Sequence, residues 1–203
     1  MEVVILRHGT TELNKLAMIQ GSSVDPSLSE DGRQFAQKAA QNFNAAQFDV
    51  VYASPLKRAQ ETARIFAGNK EIITDDRLKE MDYGSWDGKA SSDLKKKYPD
   101  AFDSQGLTTD NMYKYAADIE ARSHLESRLV DFFEDIYQKH PDDKVLVVCH
   151  GVVARMTCAH YLTNGDISYF GQMDNCNLTK LYFKDDLRRL IFYNRSLVNN
   201  ERI

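Results

Sequence analysis

The 203-residue chain has few cysteines, no excess of positive charge and no long apolar run, and each absence excludes a class of protein. There are three cysteines. Cys149, Cys158 and Cys176 include no metal-type Cys-x-x-Cys pair, and an odd, widely spaced set does not make a disulfide framework. Cys149 closes an apolar run where any small hydrophobe would serve, so reduced thiols are expected. With 30 acidic against 26 basic side chains the formal net charge is −4, which provides no bulk attraction to nucleic acid. An anionic substrate must therefore be held by local cations. No apolar stretch approaches the ~20 residues needed to cross a bilayer, and the opening residues carry no basic-then-apolar leader. No nucleic-acid or membrane partner is expected, and the expected location is cytoplasmic. Repeats, low-complexity tracts and linkers are also absent.

What the chain does contain is material for one good-sized core, 42% hydrophobic with 28% charged residues, most simply a single domain over residues 1–203. Val3-Val4-Ile5-Leu6 is an apolar run without alternation, the pattern of a strand covered on both faces, and it leads into Arg7, His8 and Gly9. Residues 144–149 repeat that arrangement and end in His150-Gly151. Residues 49–53 read as another strand. Ser54 and Pro55 then suit the N-cap and first position of a helix running through Phe66. Ser29 suits the cap of a helix whose Phe35, Ala39, Phe43 and Ala46 share a face. Between strand and helix, residues 9–28 form a polar loop with one helical turn near Leu13 to Met18. Residues 71–74 form a short strand, followed by a turn-rich stretch to Gly88. The pattern predicts a long helix over residues 113–140, with Leu125, Leu129, Phe132, Phe133 and Ile136 on one side, and a further helix from Gly151 to about Leu162. Residues 177–184 and 187–193 alternate like a hairpin turning at Asp185-Asp186. Lys95, Lys96 and Lys97 read as a solvated helix face within the least patterned stretch, residues 89–118.

Sheets of this kind keep ligands at the carboxyl ends of their strands. If the two His-Gly strands are neighbours, His8, His150, Arg7 and Arg58 converge there. Arg58 falls in the first turn of its helix, where free N–H groups and the helix dipole favour an anion. Guanidinium groups match phosphate oxygens bidentately, so a phosphate monoester suits this set of donors best.

Four stretches extend the pattern: Leu6-Arg7-His8-Gly9; Ser54-Pro55-Leu56-Lys57-Arg58-Ala59-Gln60-Glu61-Thr62; Leu78-Lys79-Glu80 with Gly84-Ser85-Trp86-Asp87-Gly88; and Val147-Val148-Cys149-His150-Gly151. In content and order they resemble the histidine phosphatase superfamily, in its phosphoglycerate-mutase-like branch. The resemblance implies an α/β fold, a three-layer α/β/α sandwich with a mixed, mostly parallel central sheet. It also implies a phosphomonoesterase that works through phosphohistidine on His8. Arg7, Arg58 and His150 would bind the phosphoryl group and Glu80 would be the proton donor. Asn14, Gln20 and Gly21 in the loop after the first strand are expected to add substrate contacts, and residues 89–118 to cover the substrate, a small phosphorylated metabolite. No metal and no cofactor is expected, since cations, imidazole and N–H groups suffice to neutralise the phosphoryl group.

The chemistry agrees with these roles. A neutral imidazole attacks phosphorus, neighbouring arginines disfavour its protonated form, and a buried carboxyl of raised pKa protonates the leaving oxygen. Plainer readings stand beside them: a surface carboxylate for Glu80, core packing for Trp86, and ordinary helix positions for His124, His140 and His160. A zinc site on His8 and His150 would lack a third ligand at recognisable spacing. The chain departs from the family pattern in three places. Its loop from Gln20 to Leu28 carries one extra residue, and Ile119-Glu120-Ala121 retains only the glutamate of the usual Gly-Glu-Ser. Residues 89–118 lack the basic insertion of the mutases. A phosphatase is therefore preferred to a cofactor-dependent phosphoglycerate mutase, and intact His8 and Glu80 count against the other alternative, a phosphate-binding module without turnover.

Overall fold

The structure is a computed structural model describing residues 1–198. Its strands are β1 Glu2–Arg7, β2 Val50–Ala53, β3 Ile72–Thr74, β4 Lys144–Cys149, β5 Leu178–Lys184 and β6 Leu187–Arg195. They form one sheet in the order β3-β2-β4-β1-β5-β6. The first four of these neighbours run parallel, β5 pairs antiparallel with β1, and β6 closes the edge as a hairpin with β5. The helices are α1 Glu12–Lys15, α2 Glu30–Ala40, α3 Lys57–Ala67, α4 Ser91–Lys97, α5 Arg122–Lys139 and α6 Gly151–Thr163.

Strand β1 lies inside the sheet because it is apolar on both sides. Val3 and Ile5 join a cluster with Leu125, Phe132 and Phe133 of α5 and Val153 of α6. Val4 and Leu6 face the other way, onto Ala36 and Ala39 of α2 and Ala59, Ala63 and Phe66 of α3. Each large apolar side chain contributes about 1.5–3 kcal/mol on full burial, so both faces of β1 favour a place where helices cover the sheet from either side. The result is the three-layer α/β/α sandwich with a mixed, mostly parallel sheet. Among the described residues no helix is long and apolar enough to cross a membrane.

Three local expectations are corrected. Helix α3 begins at Lys57, not Pro55, and Ser54 does not cap it: its N-cap is Leu56, with no side-chain cap bond. Ser54 Oγ instead meets His150 Nε2 at 2.7 Å, a tertiary partner that local capping rules do not anticipate. The buried face of α2 is Gly32, Ala36 and Ala39, while Phe35 is exposed and Phe43 and Ala46 lie beyond the helix. Ser29 caps it as expected, accepting from Gly32 N. The predicted long helix starts only at Arg122, since residues 110–114 form a separate short turn capped by Thr109. Its apolar stripe, Leu125 to Ile136, is buried as read. Lys95, Lys96 and Lys97 are exposed on α4, and Trp86 is buried.

Candidate active site

The parallel register of β1 and β4 sets Arg7 opposite Cys149, so the next residues, His8 and His150, emerge side by side. Their rings lie 5.2 Å apart. The backbone of His8 is fixed on both sides: its N–H donates to Cys149 O, and its carbonyl accepts from Asn175 Nδ2. The following Gly9 N–H donates to Thr62 Oγ1 on α3. His8 Nδ1 lies 2.7 Å from Gly9 O, an acceptor only, so Nδ1 carries the proton and Nε2 keeps its lone pair. Burial, with Arg58 and then Arg7 adding to it, holds the imidazole well below its ordinary pKa. The same causes act on His150. With Nε2 of His150 at Ser54, its buried Nδ1 has no partner and is the nitrogen left for a ligand oxygen.

Glu80 is 6% exposed and reaches the same cleft from the loop after β3. Its Oε1 accepts from Met81 N and its Oε2 from Val152 N at the start of α6. Burial raises its pKa against the opposing pull of those two N–H groups and of Arg58 and Arg7. A clamp holds the loop. Arg128 of α5 donates to the carbonyls of Arg77, Lys79 and Glu80, and its charge is matched by Glu120 at 2.8 and 2.9 Å. Glu120 also accepts from Asp82 N and meets His124. The glutamate whose flanking residues depart from the family pattern thus braces the Glu80 loop from behind.

The cleft measures about 310 Å³. Arg7, His8, Asn14, Gln20 and Glu80 are on its wall. Arg58, His150 and Gly21 lie behind that wall. Both Nη atoms of Arg58 donate to the loop carbonyls of Val24 and Gly21, while its Nε and that of Arg7 are buried without a partner. Arg7 Nη1 donates to Met173 O. The Gln20–Val24 loop is held on its other side by Asp87, which accepts from Gly21 N at 2.6 Å and from Ser23 N and Oγ. A Cβ on Gly21 would stand 2.4 Å from Asp87 Oδ1 and 2.5 Å from Met81 O, so only glycine allows this approach. Gln20 accepts from Thr11 Oγ1, and its buried Nε2 has no partner.

Sequence reasoning missed Tyr83, Thr108, Arg155 and Gln172, all on the cleft wall. For Arg155 a signal was available: it follows Gly151 by four residues and Val152 by three, which puts it on the helix face that opens onto the site. Thr108 and Gln172 lie in irregular segments and had none. Among the described residues no group of three or more His, Cys, Asp or Glu side chains is arranged to hold a metal ion. A neutral, oriented imidazole beside cations and a buried carboxyl whose pKa burial raises is the equipment for phosphoryl transfer from an ester to nitrogen.

Comparison with known proteins gives the same family. The model of the histidine phosphatase superfamily (branch 1) matches residues 3–196. Phosphoserine phosphatase 1 of Hydrogenobacter thermophilus is 32% identical over 190 residues, covering 91% of this chain and 88% of its own. Among solved structures, YhfR of Bacillus stearothermophilus superposes with a TM-score of 0.83 at 26% identity, covering 98% of this chain and 99% of its own. A phosphoserine phosphatase from Entamoeba histolytica, in complex with 3-phosphoglyceric acid, has a TM-score of 0.78 at 26% identity, with coverage of 98% and 99%.

Proposed function

The chain belongs to the histidine phosphatase superfamily and is a phosphatase of small phosphomonoesters, and from that premise we propose that it cleaves its ester through a phosphohistidine on His8. The observation that carries the assignment is the His8 tautomer: with Nδ1–H directed at Gly9 O, the unprotonated Nε2 is the nitrogen free to attack. Arg7 and Arg58 neutralise charge on the equatorial oxygens as the P–O bond breaks, and neutral His150, with its proton on Nδ1, donates a hydrogen bond to one of them. Glu80 gives its proton to the leaving alkoxide and afterwards takes one from the water that hydrolyses phosphohistidine. Asn14 and Gln20 line the substrate, and Gly21 shapes their loop. We assign residues 1–203 to one catalytic domain acting in the cytoplasm, covered by residues 89–118 and taking a small phosphorylated metabolite. The relatives named for phosphoserine make that ester a first candidate.

Mutation of phosphoglycerate would require the phosphoryl group to return to a retained, highly anionic product. Residues 89–118 supply Ser91, Phe102, Gly106, Leu107 and Thr108 to the cleft, and no cation. Hydrolysis is thus favoured over return. The test is release of inorganic phosphate from p-nitrophenyl phosphate and phosphoserine, with and without 2,3-bisphosphoglycerate. Release that does not depend on the bisphosphate is expected. Isomerisation of phosphoglycerates that requires it would overturn the reading.

A further inference from the structure

We propose that Arg155 is the specificity-determining residue of the cleft and takes a carboxylate on the alcohol part of the phosphomonoester. The proposal rests on the phosphatase reading above and adds to it the class of alcohol.

Arg155 is a charged side chain in a place that its own protein does not neutralise. It is 4% exposed and lines the cleft. Its Nε donates to Phe170 O at 2.7 Å and its Nη2 to Ile167 O at 3.3 Å, which fixes the plane of the guanidinium. Among the described residues no hydrogen bond is made by Nη1, and no carboxylate stands within ion-pair distance. Outside the cleft, Arg77 is matched by Asp75, Asp131 and Asp135, Arg128 by Glu120 and Arg188 by Glu134. Asp103, which acts on Arg155 at longer range, is exposed and committed to the N–H groups of Gln105 and Leu107. A buried, unpaired cation is costly to keep. A ligand anion is the group that would complete it.

The phosphoryl group does not fill this role. Its charge of about −1.5 to −2 is matched by Arg7 and Arg58 next to His8, which leaves Arg155 as a third cation. Arg155 lies on the same face of α6 as Val152, whose N–H holds Glu80, so its subsite adjoins the point where the ester oxygen leaves. That is where the alcohol portion sits. A single fixed guanidinium matches the single charge and planar fork of a carboxylate better than a second phosphate dianion. The cleft, about 310 Å³, suits an acid of a few carbons. An ammonium on the same substrate finds no counter-charge, because Glu80 is the one carboxylate among the residues on the cleft wall. The amino group of an amino-acid ester is therefore not read.

The experiment compares kcat/KM for 3-phosphoglycerate, phosphoserine, glycerol 3-phosphate and phosphoethanolamine in wild type, Arg155→Gln and Arg155→Lys. Each comparison is a ratio within one preparation, so loss of folded enzyme cancels. In wild type the two carboxylates should exceed their carboxylate-free counterparts by about 10- to 100-fold, the range for hydrogen bonds to a charged group, and should lie close to each other. Arg155→Gln should bring the ratio near one, and Arg155→Lys should restore part of it. A wild-type ratio near one, or a ratio that survives in Arg155→Gln, would reduce Arg155 to a tie between α6 and the carbonyls it holds. The control is p-nitrophenyl phosphate: wild type that releases phosphate from it while showing no carboxylate preference sinks this proposal alone. No release from any ester sinks the phosphatase reading together with it.

Discussion

In the proposed mechanism His8 and Glu80 have opposite needs, and burial shifts each group toward its own. Attack requires neutral imidazole and departure requires a protonated carboxyl. With ordinary values near 6.5 and 4.3, a histidine would be neutral only where a glutamate is already ionised. Here burial lowers the pKa of His8, helped by Arg58 and Arg7, and raises that of Glu80. The neutral form of His8 persists to lower pH and the protonated form of Glu80 to higher pH, so the two windows move toward each other from both sides. The acid limb of kcat/KM should consequently fall below the usual histidine range, and the alkaline limb should follow loss of the Glu80 proton. In Glu80→Gln the rate on an alkyl phosphate should drop by about 10²- to 10⁴-fold. Phosphorylation by a nitrophenyl ester, whose leaving group needs little help, should drop far less and lose its alkaline limb. Rapid-quench kinetics across pH measure both. Equal losses for the two esters would remove Glu80 as the acid. Neither nearby carboxylate replaces it readily, since Asp87 is engaged by Gly21 and Ser23, and Asp82 accepts from Gly84 N.

At the scale of elements, the Glu80 loop has no regular structure of its own beyond two short turns, so α5 supplies its rigidity through Arg128. The pair with Glu120 is largely buried, with side-chain exposures of 14% and 9%. Burial works against the Glu120 carboxylate, and the hydrogen bonds and charge of Arg128 outweigh it, leaving its pKa below the ordinary value. Arg128→Met would leave Glu120 buried without its cation and three loop carbonyls without a donor. Breaking a buried pair in this way costs about 3–5 kcal/mol, measurable by denaturant unfolding. Because Glu80 would lose its placement while Arg7 and His8 keep theirs, kcat on an alkyl phosphate should fall more than KM rises. A stability loss below about 1 kcal/mol with unchanged kcat would mean that the loop is held by other contacts.

Elements differ in how far they can be read from sequence, and the reasons are physical. The apolar runs of β1 and β4, each ending in His-Gly, are readable because burial on both faces leaves no polar alternation. Their pairing in register, not any local feature, brings His8 to His150. Local rules place the start of α3 two residues early because Ser54 has a partner, His150, 96 positions away. On α2, alanines and a glycine face inward while Phe35 faces out, so side-chain size misleads as to which stripe is buried. Residues 89–118 contain α4 and two short turns, and their Tyr98 and Phe102 stack on Trp86 from the preceding loop, contacts that follow no period.

Over the whole molecule, one sheet carries both halves of the chemistry. The phosphoryl site is built on β1, β4 and the start of α3, all anchored in the two apolar clusters. Glu80, the proposed proton donor, and residues 89–118, the proposed cover, come from the connections on the α5 face. The most direct measurement of the account is the covalent intermediate. Enzyme mixed briefly with radiolabelled substrate and quenched in base should retain an acid-labile, base-stable phosphoryl group, mapped by mass spectrometry to the peptide containing His8. The label should be absent from His8→Ala and should accumulate in Glu80→Gln, where hydrolysis of the phosphoenzyme becomes limiting. Label that persists in His8→Ala, or full turnover of the wild type with no phosphoenzyme at any quench time, would contradict it.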